Sequence, residues 1–126
     1  SEAAAKYYGA HVLMAGIEDN PENYTRFFLM RRTPDSQPDP AANKISLAFS
    51  VENRPGSLVA VLNELAALGT NLTKLESRPV HGKPWEYIFY VDCQIRSSEE
   101  SKLALEALKR HCAMVKELGR YREAAI

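Results

Sequence analysis

Apolar and polar residues alternate along residues 44–52. Ile45, Leu47, Phe49 and Val51 are apolar, Lys44, Ser46, Ser50 and Glu52 are polar, and only Ala48 blurs the pattern. A period of two predicts a strand with one buried face. The period changes after Asn53-Arg54-Pro55-Gly56. Leu58, Leu62 and Leu65 fall at i, i+4 and i+7, with Val61 and Leu68 beside them, which predicts an amphipathic helix. Pro55 and Gly56 supply the turn, Ser57 is expected as N-cap, and Gly69 is expected to close the helix. Alternation resumes from Leu72 to Arg78, with Thr73, Leu75 and Ser77 on one face and Lys74, Glu76 and Arg78 on the other. Residues 79–84 are rich in turn formers. Trp85 to Ile95 is then expected as a strand with Tyr87, Phe89, Val91, Cys93 and Ile95 on one face, so the two segments read as a hairpin. Ser97 and Glu100 have capping-box spacing at the head of a helix with a Leu105, Leu108, Cys112 stripe. Ala113 to Tyr121 is the last strand candidate. The order βαββαβ predicts an α+β, ferredoxin-like domain: a four-stranded antiparallel sheet with two helices on one face.

Ahead of this domain the pattern is weaker. Ser1 to Tyr8 is Ala-rich and suits the end of a helix capped by Gly9, with Tyr7 and Tyr8 as a face left bare. Residues 11–17 and 24–32 are strand candidates on either side of a polar turn at 18–23, a strand-turn-strand stub. Residues 33–43 hold three prolines and no large apolar residue, the composition of a linker. The expected division is therefore a stub at 1–33, a linker at 34–43 and a compact domain at 44–126. A domain of that size buries a modest core, so self-association is expected.

Composition narrows the partners. Sixteen basic and sixteen acidic residues cancel in a chain of 126 residues, which argues against nucleic acid or an anionic membrane as partner. No apolar run approaches the length of a membrane span, and the N-terminus lacks a signal-peptide layout. Cys93 and Cys112 have no metal or redox spacing and are read as buried thiols of a reducing cytoplasm. His11, His81 and His111 are scattered, so neither a metal nor a cofactor is expected. The Gly56 turn is the one feature with site chemistry. A strand that feeds a helix through such a turn leaves N–H groups at the positive end of the helix, where a carboxylate can bind. The same turn also occurs with no ligand.

Two sets of motifs bear on that choice. Gly56-Ser57-Leu58-Val59 and Glu76-Ser77-Arg78-Pro79, flanked by Asn71-Leu72-Thr73-Lys74 and Pro84-Trp85-Glu86-Tyr87, resemble the ACT domains of prephenate dehydratases. Ile17, Asp19, Asn23 and then Thr25-Arg26-Phe27 resemble the closing motif of the dehydratase catalytic domain. Ser57 departs from the family's usual alanine. The resemblance implies an effector site made of Asn53, Pro55, Gly56, Ser57, Leu58, Val59, Asn71, Leu72, Glu76, Ser77, Arg78 and Pro79. It implies L-phenylalanine as the effector and a homodimer that shares the pocket, in a parent that is a dimer or tetramer. Glu76 and Arg78 would otherwise read as a solvated strand face, and Trp85 as packing. Thr25, Arg26 and Phe27 would be catalytic in the intact parent, a lyase converting prephenate to phenylpyruvate. This chain holds only the end of that domain, is expected to be part of a longer enzyme, and is expected to be inactive alone. An arogenate dehydratase fits the same motifs. A free-standing sensor and the regulatory module of an aromatic amino-acid hydroxylase fit less well, because neither explains Thr25-Arg26-Phe27.

Overall fold

The structure, a computed structural model, describes residues 2–22, 24–32, 39–83 and 85–124. The elements in chain order are α1 (Glu2–Tyr8), β1 (Lys44–Ser50), α2 (Ser57–Ala67), β2 (Asn71–Pro79), β3 (Tyr87–Gln94), α3 (Ser98–Lys109) and β4 (Met114–Tyr121). They fall into two compact units, Ser1–Asp35 and Ser36–Ile126.

In the second unit the strands pair antiparallel in the order β2-β3-β1-β4, the ferredoxin-like plan. Ile45, Leu47 and Phe49 of β1 lie opposite Cys93, Val91 and Phe89 of β3, so their side chains share one face. That face meets Val61 and Leu65 of α2 and Ala104 and Leu108 of α3 in a fully buried core. Leu58 and Leu68 pack at the margins of the core, so the buried stripe of α2 runs 58, 61, 65, 68. The other face of β1 is polar but closed: the Ser46 hydroxyl donates to the Asp92 carboxylate (2.6 Å) and lies 2.9 Å from the Tyr121 hydroxyl.

Two irregularities in the sheet were not visible in the residue pattern. A register shift between Leu72 and Lys74 puts Leu72 opposite Cys93 and Leu75 opposite Val91, so both leucines share the helix-covered face although they are three positions apart. Thr73 therefore leaves the face expected for it, and its hydroxyl donates to the Asp92 carbonyl. A second shift at Ser46/Leu47 disturbs the pairing with β4 near Gly119.

The helix ends follow local chemistry. Thr70 N–H bonds to Leu65 C=O (3.0 Å) and Gly69 N–H to Ala66 C=O (2.9 Å), with Gly69 at φ 71°, a Schellman ending. At the head of α3, Ser97 Oγ accepts from Glu100 N–H (3.1 Å). The Glu100 carboxylate reaches one residue further back than a capping box does, to Arg96 N–H (2.8 Å) and Arg96 Nε (3.0 Å). Hydrogen bonds from Arg96 hold Glu100 below the usual carboxylate range. Of the linker expected at 34–43, residues 34–38 lie outside the described residues. Asn43 is pinned between strands, its N–H bonding Tyr121 C=O and its C=O accepting from Ile95 N–H.

Burial, and after it the Asp92 charge, pushes the Cys93 thiol up to about 11. Burial pushes Cys112 up to about 11 as well. An unfolded chain loses these thiol protons near the ordinary value of 9.0. Between about pH 9 and 11 the unfolded state binds fewer protons than the folded one, and stability falls as pH rises. Urea melts across that window are expected to show the decline. Replacing both cysteines by alanine is expected to flatten it, and an unchanged slope would exclude the thiols as its cause.

The first unit departs from expectation. α1 ends as predicted, with Gly9 at φ 63° and Ala10 N–H bonded to Ala5 C=O (2.9 Å). The strands expected at 11–17 and 24–32 are not formed among the described residues. Apolar and aromatic runs become strands only where a neighbouring strand takes their N–H and C=O groups. The strand-turn-strand stub is thus irregular backbone, with Leu13, Phe27, Leu29 and Met30 exposed.

Candidate functional site

β1 delivers the chain to the head of α2 through residues 51–56, and Gly56 is the pivot. It sits at φ 83°, ψ −11° and is the N-cap of α2, in place of Ser57. The left-handed conformation needed to turn from strand to helix is one that glycine adopts without strain, which moves the cap one residue ahead of the serine. Ser57 is then the first helical residue. Its Oγ is buried and finds no hydrogen-bond partner among the described residues. Among the described residues no side chain caps α2, and the N–H groups of Leu58 and Val59 find no acceptor. Two amides at the positive end of the helix thus face outward.

Beside them lies a cleft of about 120 Å³ lined by Val51, Glu52, Asn53, Arg54, Ser57, Leu58, Trp85, Tyr87 and Phe89. Its walls differ in kind. Tyr87 and Phe89 rise from the helix-covered face of β3, Leu58 closes the α2 side, and the 52–54 turn supplies an amide and two opposite charges. Phe89 stacks on Phe49, ring centroids 5.4 Å apart, so the cleft floor is continuous with the core. Trp85 stands at the rim, 74% exposed and at φ 71°. The expectation that Trp85 is packing is therefore wrong. It does not belong to β3, which begins at Tyr87. It sits in a turn tied by Val80 N–H to Glu86 C=O (2.9 Å) and Glu86 N–H to Lys83 C=O (3.3 Å). Among the described residues Trp85 is the one non-glycine at positive φ, a conformation that bulky side chains rarely adopt outside turns.

The structure brings together only part of the expected effector set. Asn53, Ser57 and Leu58 line the cleft, with Pro55, Gly56 and Val59 in the same corner. Register places Ser77 opposite Phe89 and Pro79 opposite Tyr87, on the same face as the cleft. Glu76 and Arg78 fall on the reverse face, opposite Tyr90 and Ile88. There the Glu76 carboxylate is held by Lys74 (3.1 Å) and by Arg78. The Lys74 hydrogen bond first, and then the Arg78 charge, keep it below the usual carboxylate range. Asn71 and Leu72 lie at the opposite end of β2, across from Gln94 and Cys93, with Asn71 Nδ2 donating to Gln94 Oε1 (2.8 Å). Glu52, Arg54, Tyr87 and Phe89 were missed as site residues. Glu52 reads as the polar end of the first alternating segment, Arg54 as part of the turn and the aromatic pair as one face of a strand, because alternation assigns a face and not the end of the sheet where that face opens.

The ACT domain family matches residues 45–112, from the second residue of β1 to the loop before β4. The chain belongs to that family. Ahead of its ACT domain, residues 1–35 match the prephenate dehydratase family. The bifunctional chorismate mutase/prephenate dehydratase of Aquifex aeolicus is 38% identical over 100% of this chain, which covers 34% of that protein. Among solved structures, the prephenate dehydratase from Streptococcus mutans is 38% identical with a TM-score of 0.56, over 64% of this chain and 43% of that one. The prephenate dehydratase from Arthrobacter aurescens in complex with L-Phe is 28% identical with a TM-score of 0.59, over 78% and 30%. The chain spans about a third of the length of the curated relatives it matches, 34% and 37% for two of them. Among the described residues no helix is long and apolar enough to cross a membrane.

Proposed function

We propose that this ACT domain is the phenylalanine-sensing region of a prephenate dehydratase, and that residues 1–33 are the tail of its catalytic domain. The observation that carries the reading is the cleft at the head of α2, where uncapped amides stand next to an aromatic wall. The amides suit a carboxylate, and Leu58, Trp85, Tyr87 and Phe89 suit a flat apolar side chain. That a structural relative holds L-Phe supports the same ligand class.

A cleft of about 120 Å³ is small against the roughly 300–1,000 Å³ of ligand pockets, and it is open on one side. A second copy would supply the missing wall. β2 is an edge strand, and antiparallel pairing of two β2 edges sets the Asn71 end of one copy beside the Pro79 end of the other. The Pro79 end is the end at which α2 begins, since Arg78, Ile88 and Ser50 are in register. Asn71 and Leu72, remote from Gly56 within one chain, would thus reach the pocket of the second copy. Glu76 and Arg78 would stiffen the paired edge from its reverse face.

Trp85 is the chain's single tryptophan, so its fluorescence reports on the cleft. Titration with L-phenylalanine is expected to give a saturable change that L-aspartate does not give. A flat response at millimolar L-phenylalanine would overturn the reading. The isolated chain is expected to form no phenylpyruvate from prephenate, because Thr25 and Phe27 stand exposed and lie on the last part of the proposed catalytic domain. Turnover above a Thr25→Ala control would contradict that.

A further inference from the structure

The cleft has a charged lip. Glu52 and Arg54 flank Asn53 in the turn before α2, and both line the cleft. Arg54 Nε lies 3.1 Å from Glu52 Oε2, with the two side chains 73% and 72% exposed. The backbone fixes where these charges are carried: Arg54 N–H bonds Glu52 C=O (2.9 Å), and Arg54 C=O accepts from Ser57 N–H (3.3 Å). Among the described residues that line the cleft, Glu52 is the one carboxylate and Arg54 the one cation.

We infer that this ion pair is a clip for the zwitterionic end of the ligand, opened by exchange of partners. Arg54 takes the α-carboxylate beside the Leu58 and Val59 amides, and Glu52 takes the α-ammonium. The inference rests on the reading that the cleft holds an amino acid. The exchange conserves pairing, because one internal ion pair gives way to two pairs with the ligand. No charge is left alone when the site is covered, which is what makes a covered charge tolerable. The internal pair is solvated and weak, so opening it forfeits little. The direction of the ligand follows. The positive head of α2 and Arg54 draw the carboxylate to one side, Glu52 draws the ammonium to the other, and the side chain is left facing Trp85, Tyr87 and Phe89. Three fixed points also select one hand at the α-carbon, so the two enantiomers are expected to differ in affinity.

Three ligands separate the two charges: L-phenylalanine, 3-phenylpropionate, which lacks the ammonium, and phenethylamine, which lacks the carboxylate. Chemical-shift titrations are run on wild type, Glu52→Gln and Arg54→Gln. Glu52→Gln is expected to weaken L-phenylalanine and phenethylamine by about five- to tenfold and to leave 3-phenylpropionate within about twofold. Arg54→Gln is expected to weaken L-phenylalanine and 3-phenylpropionate and to spare phenethylamine. If wild type binds L-phenylalanine but the losses do not follow the ligand's charges, the clip is overturned and the phenylalanine reading stands. If wild type does not bind L-phenylalanine, both fall together.

Discussion

Phe49→Ala is expected to remove about 3–5 kcal/mol of stability from the ACT domain. Phe49 is fully buried on the central strand β1 and stacks on Phe89 at 5.4 Å with an interplanar angle of 20°. Truncation deletes the ring and leaves a void that Val61 and Leu65, on a helix capped at its far end by Gly69, cannot follow inward. For a domain of this size each kcal/mol moves the melting temperature by about 4–8 °C, so the drop should be about 12 °C or more. Leu75→Ala is the control. Leu75 is on the same face but 46% exposed on an edge strand, and its loss should be a fraction of that. Calorimetric melts of the two variants decide the matter, and equal losses would mean the core is not where burial places it.

L-phenylalanine is expected to bind about ten- to a hundredfold more tightly than L-alanine. The two share the charged end and differ by the ring, whose burial against Leu58, Trp85, Tyr87 and Phe89 contributes roughly 1.5–3 kcal/mol. Trp85→Ala should bring the two ligands closer together. Variants in the turn should act differently. A Cβ at Gly56 meets no atom within 4 Å, so the loss on Gly56→Ala comes from forcing alanine to φ +83° and not from obstruction. Ser57→Ala should be mild, because it deletes a buried hydroxyl that has no partner among the described residues. Calorimetric titration of these proteins reads the selectivity directly. Equal affinity for the two amino acids in wild type would contradict an aromatic wall.

The second unit was legible where its residues obey a single period. Ile45, Leu47 and Phe49 alternate with polar neighbours, and Gly69 ends a leucine-rich stripe, so β1 and α2 could be placed. The bulge at Thr73 was hidden because an extra residue in a strand leaves local alternation intact on both sides of it. Ser57 was mistaken for the cap because serine is a good cap wherever the preceding residue is extended, and the adjacent Gly56 offered a left-handed alternative. The 11–17 and 24–32 runs have strand composition, yet composition does not supply the neighbouring strand on which strands depend. For the site, the motifs located the Gly56 corner and Asn53. Glu52, Arg54 and the aromatic wall depend on the fold, in which β3 begins at Tyr87 beside the cleft. Asn71 and Glu76 were grouped with that corner by motif, and the sheet separates them from it within one chain.

L-phenylalanine is expected to bind at the head of α2 in a site completed by a second copy of the chain. Sedimentation equilibrium at micromolar protein, with and without millimolar L-phenylalanine, tests it most directly when paired with calorimetric stoichiometry. The expected result is twice the chain mass, stabilised by ligand, with one L-phenylalanine per chain. A chain that stays monomeric in saturating L-phenylalanine and evolves no heat of binding would contradict it.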